Sequence, residues 1–276
     1  MRVLGIDIGG TSVKAVLREG GTIGEIAKSA TFDRPSGEEL RRAVASVVPD
    51  GEFDAIGLCV PGVLSADRSH VEAAANLPGL VGLPLATLIP RHRGSLVVTT
   101  DQIAAATDFA ARRELRGRLL AVSLGTGVGA AVLDVDDDYP LGRPLRVNGD
   151  SPGHLGQIDV SLDDHPPVGP DGGAGGVEAY LGKAALAGRD PSTLDENDPA
   201  IRALVRLLRV SHALYRPNHI ALLGGVGLRL THLRDAIIER TNHRLTSLAR
   251  EGWTLDFADD DHHAADGAAR LAANER

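Results

Sequence analysis

The 276-residue sequence predicts an α/β fold made of two related halves. Short strand-like apolar runs alternate with amphipathic helical stretches along the whole chain. A strand–glycine turn–strand pattern at residues 2–17 returns at residues 119–133, as a duplicated unit would. Aromatic residues make up 3% of the chain against 43% hydrophobic residues, so the core is built from Ala, Val, Leu and Ile.

Taken in order, residues 2–17 read as a hairpin turning at Gly9-Gly10-Thr11-Ser12, and residues 22–27 as a third strand. Residues 38–48 have helical periodicity, with Ser36-Gly37 before them and Pro49-Asp50-Gly51 after. Residues 55–60 form a buried strand that stops at Pro61-Gly62. A loop with Asn76-Leu77-Pro78-Gly79 follows, then a short helix at 85–89 and a strand at 96–100. Asp101 ends that strand and leads into an Ala-rich helix at 103–114. The second half opens with strands at 119–124 and 128–133 around Gly125-Thr126-Gly127. After a Pro/Gly/Asp-rich loop at 163–176, helices are expected at 177–187, 199–215 and 230–248. A strand at 219–223 with its Gly224-Gly225 turn interrupts them, and a helix at 264–273 closes the chain.

The bulk numbers exclude several classes. A net charge of −8 with no basic stripe argues against non-specific nucleic-acid binding. A single cysteine, Cys59, excludes an internal disulfide and a Cys-rich zinc site. Inside the run Ala55-Ile56-Gly57-Leu58-Cys59-Val60 it reads as a buried structural thiol rather than a nucleophile. No apolar stretch is long enough to span a bilayer, and the first residues run straight into a strand pattern without a secretory signal. A soluble, reducing, cytoplasmic setting is the expectation.

Three strand-end glycine turns carry the chemistry. In Asp7-Ile8-Gly9-Gly10-Thr11-Ser12-Val13-Lys14, glycines let backbone N–H groups converge on an anion while Thr11 adds a hydroxyl. Asp7 beside that anion site suits a water-bridged divalent cation. Gly125-Thr126-Gly127 repeats the arrangement, and Gly224-Gly225 offers bare backbone on which a base or ribose could lie. Each turn alone is more often hairpin chemistry than a ligand site. Neither the Walker nor the dinucleotide pattern is present.

The order and spacing of the three turns resemble the phosphate-one, phosphate-two and adenosine motifs of the actin-like/hexokinase ATPase superfamily, and within it the ROK family of sugar kinases and regulators. The segments Gly57-Leu58-Cys59-Val60-Pro61-Gly62, Asn76-Leu77-Pro78-Gly79, Asp101 with Ala104-Ala105, Val177-Glu178-Ala179-Tyr180 and Arg216-Pro217-Asn218 extend the resemblance over nearly the whole chain. It implies two actin-like (ribonuclease H-like) lobes, residues 1–105 with a closing helix at 264–276 and residues 106–263, around an ATP/sugar cleft. The expected activity is ATP- and Mg²⁺-dependent phosphorylation of a hydroxyl on a sugar-like small molecule. ATP would meet Asp7, Gly9, Gly10, Thr11, Lys14, Gly125, Thr126, Gly127, Gly224 and Gly225. The acceptor would meet Pro61, Gly62, Asn76, Thr100, Asp101, His154 and Glu178. The resemblance also allows a homodimer.

By residue type alone, Asp101 reads either as a helix N-cap or as a base; the resemblance makes it the general base that takes the acceptor proton. Asn76 reads as a turn residue or a sugar contact, and Glu178 as a solvated helix residue or a sugar contact. Three departures from the family stand out. Thr100 replaces the usual Asn before the base, Gly153-His154-Leu155-Gly156-Gln157 replaces Gly-Glu-X-Gly-His, and the cysteine-free loop 168–176 replaces the zinc cluster. No zinc site is therefore expected, and glucose is a poor candidate acceptor beside amino sugars and polyols. His154 reads as a substrate donor, a structural donor or a solvated loop residue. The Asp259-Asp260-Asp261-His262-His263 run is expected to be a solvated acidic loop rather than a metal tract. The rival class is a non-catalytic ATP- and sugar-binding sensor or pseudokinase acting through protein partners. The family's repressors carry a DNA-binding region before the first glycine turn, for which a turn starting at residue 9 leaves no room.

Overall fold

Buried-on-both-faces strands lie at the centre of each half, as continuous apolar runs require. The computed structural model describes residues 1–90, 94–147, 151–170, 172–249 and 251–275. Asp171, in the loop where no zinc ligands are expected, and Arg276, at the end of the expected closing segment, lie outside these residues. The first half contains β1 (Arg2–Ile8), β2 (Val13–Glu19), β3 (Thr22–Lys28), α1 (Gly37–Val47), β4 (Ala55–Val60), a small hairpin of β5 (Val63–Leu64) and β6 (Val71–Ala73), and β7 (Ser95–Thr100). Its sheet runs β3-β2-β1-β4-β7, with β1, β4 and β7 parallel and the β1–β2–β3 meander antiparallel. Exposed β3 forms the edge, whereas β4 is buried at every residue. α1 starts with a full capping box, Ser36 to Glu39, which explains its sharp beginning.

α2 (Asp101–Arg112) leads into β8 (Gly117–Leu124), β9 (Val128–Val135) and β10 (Arg143–Pro144). Then come α3 (Val177–Leu181), α4 (Lys183–Leu186), α5 (Pro199–Tyr215), β11 (His219–Leu223), α6 (Gly224–Gly227), α7 (Arg234–Asn242), β12 (Thr254–Phe257) and α8 (His263–Asn274). The second sheet runs β10-β9-β8-β11-β12, the topology of the first repeated, so the fold class agrees with the expectation.

α2 packs against β8 and β9, α8 packs against β1 and β4, and the two helices pack against each other between the sheets. Glycines make this close approach possible. A Cβ on Gly57 of β4 would lie 1.9 Å from the Ala268 carbonyl oxygen of α8, and one on Gly267 would lie 1.7 Å from that of Ala104 in α2.

Several elements differ from expectation. The helix expected at 177–187 breaks at Gly182, whose extended backbone sends the Lys183 N–H to the carbonyls of Gly125 and Thr126 instead of continuing the helix. The helix expected at 230–248 is shorter: a 3₁₀ turn at Thr231–Leu233, then α7 ending at Asn242. The chain leaves it so that Trp253 can be buried, with its indole N–H on Asn242 Oδ1 at 2.8 Å and its ring edge-on to His212. The segment expected as a helix at 85–89 is the 3₁₀ turn Leu85–Leu88. Strands β5, β6, β10 and β12 have no counterpart in the sequence reading.

The acidic run at 259–263 is not a free solvated loop. Asp259 pairs with Arg113 and Asp260 with Arg112, each at 2.7 Å, while Asp261 pairs with Lys14 at 3.1 Å and Lys28 at 3.3 Å. His263 is buried and its Nδ1 lies 2.6 Å from Asp108 Oδ2. These contacts tie the segment before α8 to α2 and to the first sheet, because the loop passes between cationic side chains of both.

Candidate functional site

All the candidate site residues named from the sequence line one cavity of about 760 Å³ between the two sheets. The first turn is closed by the Gly9 N–H on the Ser12 carbonyl, and the second by the Gly125 N–H on the Gly127 carbonyl, both at 3.0 Å. The turns face one another: a Cβ on Gly10 would lie 3.1 Å from Thr126 Oγ1. Gly224 opens the third turn at φ +78°, with the Leu124 carbonyl oxygen 2.5 Å from where a Cβ would sit. A side chain is excluded there twice over, by backbone strain and by space.

At the head of α2, the N-cap is Thr100, whose hydroxyl accepts the Ile103 N–H at 3.4 Å. Asp101 is thereby the first helical residue and is released from capping. Its Oδ1 is sealed from solvent and has no hydrogen-bond partner. Burial, reinforced by the Asp7 charge, pushes its pKa up to about 8, although backbone N–H groups of Gln102 and Asp101 pull the other way. Thr100 also lines the cavity. Thr100→Val should cost about 1 kcal/mol through the lost cap. That is a fall of roughly 2–4 °C in melting temperature, and no change on thermal denaturation would remove the capping role.

Asp7, at the end of β1, is buried, and desolvation raises its pKa against the lowering effects of Lys14 and the Cys59 thiol. Cys59 Sγ lies 3.7 Å from Asp7 Oδ1 and 3.4 Å from the Ala264 carbonyl, which accounts for it as a structural thiol. Burial pushes that thiol well up, away from the thiolate a nucleophile needs.

Across the cavity, half-buried Glu178 accepts the Val128 N–H on Oε2 at 2.9 Å. A Cβ on Gly127 would lie 2.7 Å from that oxygen and 3.2 Å from Asn76 Nδ2, so Asn76 approaches Glu178 from the loop after β6. Pro61 and Gly62 form the adjoining wall, with Gly62 at φ +98° pressed against the Ala73 carbonyl. His154 is exposed at the cavity rim.

The sequence reading did not single out Gln102, Lys28, Lys183, Asp260, Asp261 or His263 as site residues, yet they too line the cavity. Gln102 follows Asp101 directly and Lys183 follows the helix break; neither position carries a motif. Asp7, Asp101, Glu178, Asp260 and Asp261 line the cavity against Lys14, Lys28 and Lys183, so carboxyl groups outnumber ammonium groups even with Asp101 neutral below about pH 8. A polyphosphate entering it would be best accommodated with a cation. The carboxylates of Asp7 and Asp101 are the hard oxygen donors that suit Mg²⁺. Among the described residues, no cluster of three or more His, Cys, Asp or Glu side chains is close enough to hold a metal without other ligands. Among them also, no helix is long and apolar enough to cross a membrane.

Known proteins share this architecture. An N-acetylmannosamine kinase of Pasteurella multocida is 26% identical over 67% of this chain and 62% of its own length, so the match spans less than two thirds of that relative. A ROK family glucokinase from Streptomyces griseus, solved with glucose and AMPPNP, superposes with a TM-score of 0.75 at 20% identity over 99% of both chains. A ROK hexokinase from Thermus thermophilus superposes with a TM-score of 0.71 at 24% identity, covering 100% of this chain and 99% of its own. Both share the fold. Residues 3–275 match the ROK family from end to end, and the chain belongs to it.

Proposed function

We propose that this protein is an ATP-dependent kinase that phosphorylates a hydroxyl of a sugar-like molecule, with Asp101 as the general base. The observation that carries the reading is the unpartnered, solvent-sealed Asp101 Oδ1 in the same cavity as the glycine turns, beside a helix cap supplied by Thr100. A cavity-lining carboxylate with one oxygen unpartnered is suited to accept a proton from a hydroxyl placed against it. A pKa near 8 makes it a stronger base than an ordinary carboxylate once ionised.

The remaining roles follow from position. The first and second turns would hold the phosphates through backbone N–H groups and Thr11 and Thr126, with Lys14 as a charge partner. The Gly224-Gly225 backbone would support the nucleoside. Asp7 would hold Mg²⁺ through water, and the cation would offset charge on the transferring phosphoryl group. Asn76, Glu178 and His154 would orient the acceptor, because each offers directional hydrogen bonding to a hydroxyl. The named activity of the Pasteurella relative makes N-acylated amino sugars the first acceptors to try. Under the same reading the lobes divide near residues 105 and 106, the final helix rejoins the first lobe, and the enzyme works in the cytoplasm. Closure of the lobes would keep water from the phosphoryl group.

Nucleotide binding is the direct check. ATP with Mg²⁺ should raise the melting temperature, since a ligand of the folded state alone stabilises it by mass action. A flat thermal-shift response at millimolar ATP–Mg²⁺, with N-acetylmannosamine and glucose present in separate runs, would count against the kinase reading.

A further inference from the structure

The second glycine turn is fastened at both ends by one short segment. At its exit, Glu178 Oε2 accepts the Val128 N–H at 2.9 Å. At its entrance, the Lys183 N–H reaches the Gly125 carbonyl at 3.1 Å and the Thr126 carbonyl at 3.3 Å. The break at Gly182 frees that N–H, since a continuous helix would have used it internally. A Cβ on Gly182 would lie 2.9 Å from the Glu178 carbonyl oxygen and 3.4 Å from that of Thr126, so the strap lies directly on the turn. Glu178 is half-buried in the cavity wall.

We propose that Glu178 is a positioning residue for the nucleotide, fixing the Gly125-Thr126-Gly127 turn, in addition to the acceptor contact assigned above; the inference rests on that kinase reading. A turn with two glycines samples many backbone conformations when unrestrained. Ordering it only when phosphate arrives would cost affinity, whereas a turn already held by Glu178 and Lys183 avoids that cost. The same carboxylate lies on both substrates' ground: Oε2 holds the phosphate turn, and that oxygen and Asn76 Nδ2 both crowd the Gly127 position. Acceptor binding at the Glu178 carboxylate therefore acts on the nucleotide turn through one group, and thermodynamic linkage makes the coupling reciprocal.

Charge gives this proposal a decisive sign. A carboxylate beside an anion site repels phosphate through space, so an acceptor-only Glu178 predicts equal or tighter nucleotide binding when it is removed. The strap predicts the opposite. The experiment is calorimetric titration of acceptor-free protein with Mg²⁺–ADP. Glu178→Met, which fills the space without an oxygen, should weaken binding roughly tenfold, on the scale of a lost hydrogen bond to a charged group. Glu178→Ala should behave alike, and serves if the Met side chain is not accommodated. Glu178→Gln keeps a carbonyl for the Val128 N–H and should recover affinity to within about threefold of wild type. Met and Ala variants that fold and bind Mg²⁺–ADP as tightly as wild type, or tighter, would overturn the strap and leave the kinase reading standing. Wild-type protein that fails to bind Mg²⁺–ADP would overturn both.

Discussion

Asp101→Asn is expected to lower turnover on the true acceptor by roughly 10²-fold or more, while leaving the protein folded. The substitution keeps the shape of the side chain and removes its basicity. A capping role cannot mask the result, because the cap is the Thr100 hydroxyl on the Ile103 N–H and not Asp101. The stability change should have the opposite sign to the activity change. Asp101 has a folded pKa of about 8 against an ordinary value of 3.8, so the folded state favours the neutral carboxyl. Its contribution to stability is complete below about pH 4, where both states are protonated, and is lost as pH rises through about 8. At pH 7 a permanently neutral Asn escapes that loss, and the variant should melt at or a few degrees above wild type.

The pH profile follows from the same group. In the wild type, kcat/KM should climb toward an apparent pKa near 8 as free Asp101 ionises, and the residual activity of Asp101→Asn should lack that limb. Nearby Mg²⁺ would shift the limb to lower pH by favouring the carboxylate. A folded variant that retained most of its turnover would refute Asp101 as the base.

The parts of the site that were legible in the sequence are those built from backbone. Glycine turns at strand ends announce themselves by residue type, and the family resemblance of their order and spacing puts Gly9, Gly125 and Gly224 around one cleft. Asp101 was legible as a strand-end carboxylate, but its freedom from capping was not. Thr at 100 and Asp at 101 are both good cap residues, and only the backbone angles put Thr100 outside the helix and Asp101 inside it. The acidic run at 259–263 was misread because charge patterning reports composition and not partners. Its counter-ions Lys14, Lys28, Arg112 and Arg113 lie more than a hundred residues away in sequence. Strand β12 was missed beside it, although Thr254-Leu255-Asp256-Phe257 alternates in burial as an amphipathic strand should. Four residues are too few for a period to stand out. The break at Gly182 was hidden for a related reason: Val177 to Leu186 has helical composition apart from that one glycine, which a helix tolerates, and the interruption is stabilised by bonds to a turn in another part of the chain.

Gly267→Ala should be among the most destabilising single-methyl additions in the protein. Propensity alone argues the other way, since Ala in a helix interior is favoured over Gly by about 1 kcal/mol. Space decides against it. The new Cβ would stand 1.7 Å from the Ala104 carbonyl oxygen, 2.5 Å from its carbonyl carbon and 3.1 Å from its Cα. These are backbone atoms of α2, which no rotamer change can move aside. Relief requires α8 to back away from α2 by more than an ångström. The opposite side of α8 is already seated on the first sheet, where Gly5 and Gly57 leave the carbonyls of Ala265 and Ala268 just 1.9 Å from ideal Cβ positions. The helix is therefore held between backbone on both sides, and overpacking of this kind should cost roughly 3 kcal/mol or more, well above the propensity gain. Urea and thermal unfolding should show a fall of about 6–12 °C in melting temperature. Gly24→Ala is the control, because on edge strand β3 its Cβ would meet only ordinary contacts at 3.7 Å and beyond. Activity should suffer too, since Ala104 lies one turn along α2 from Asp101 and displacing that turn moves the carboxylate. A Gly267→Ala protein melting within a degree of wild type would show that α2 and α8 do not meet backbone to backbone, and with it would go the account of how the two halves are held together.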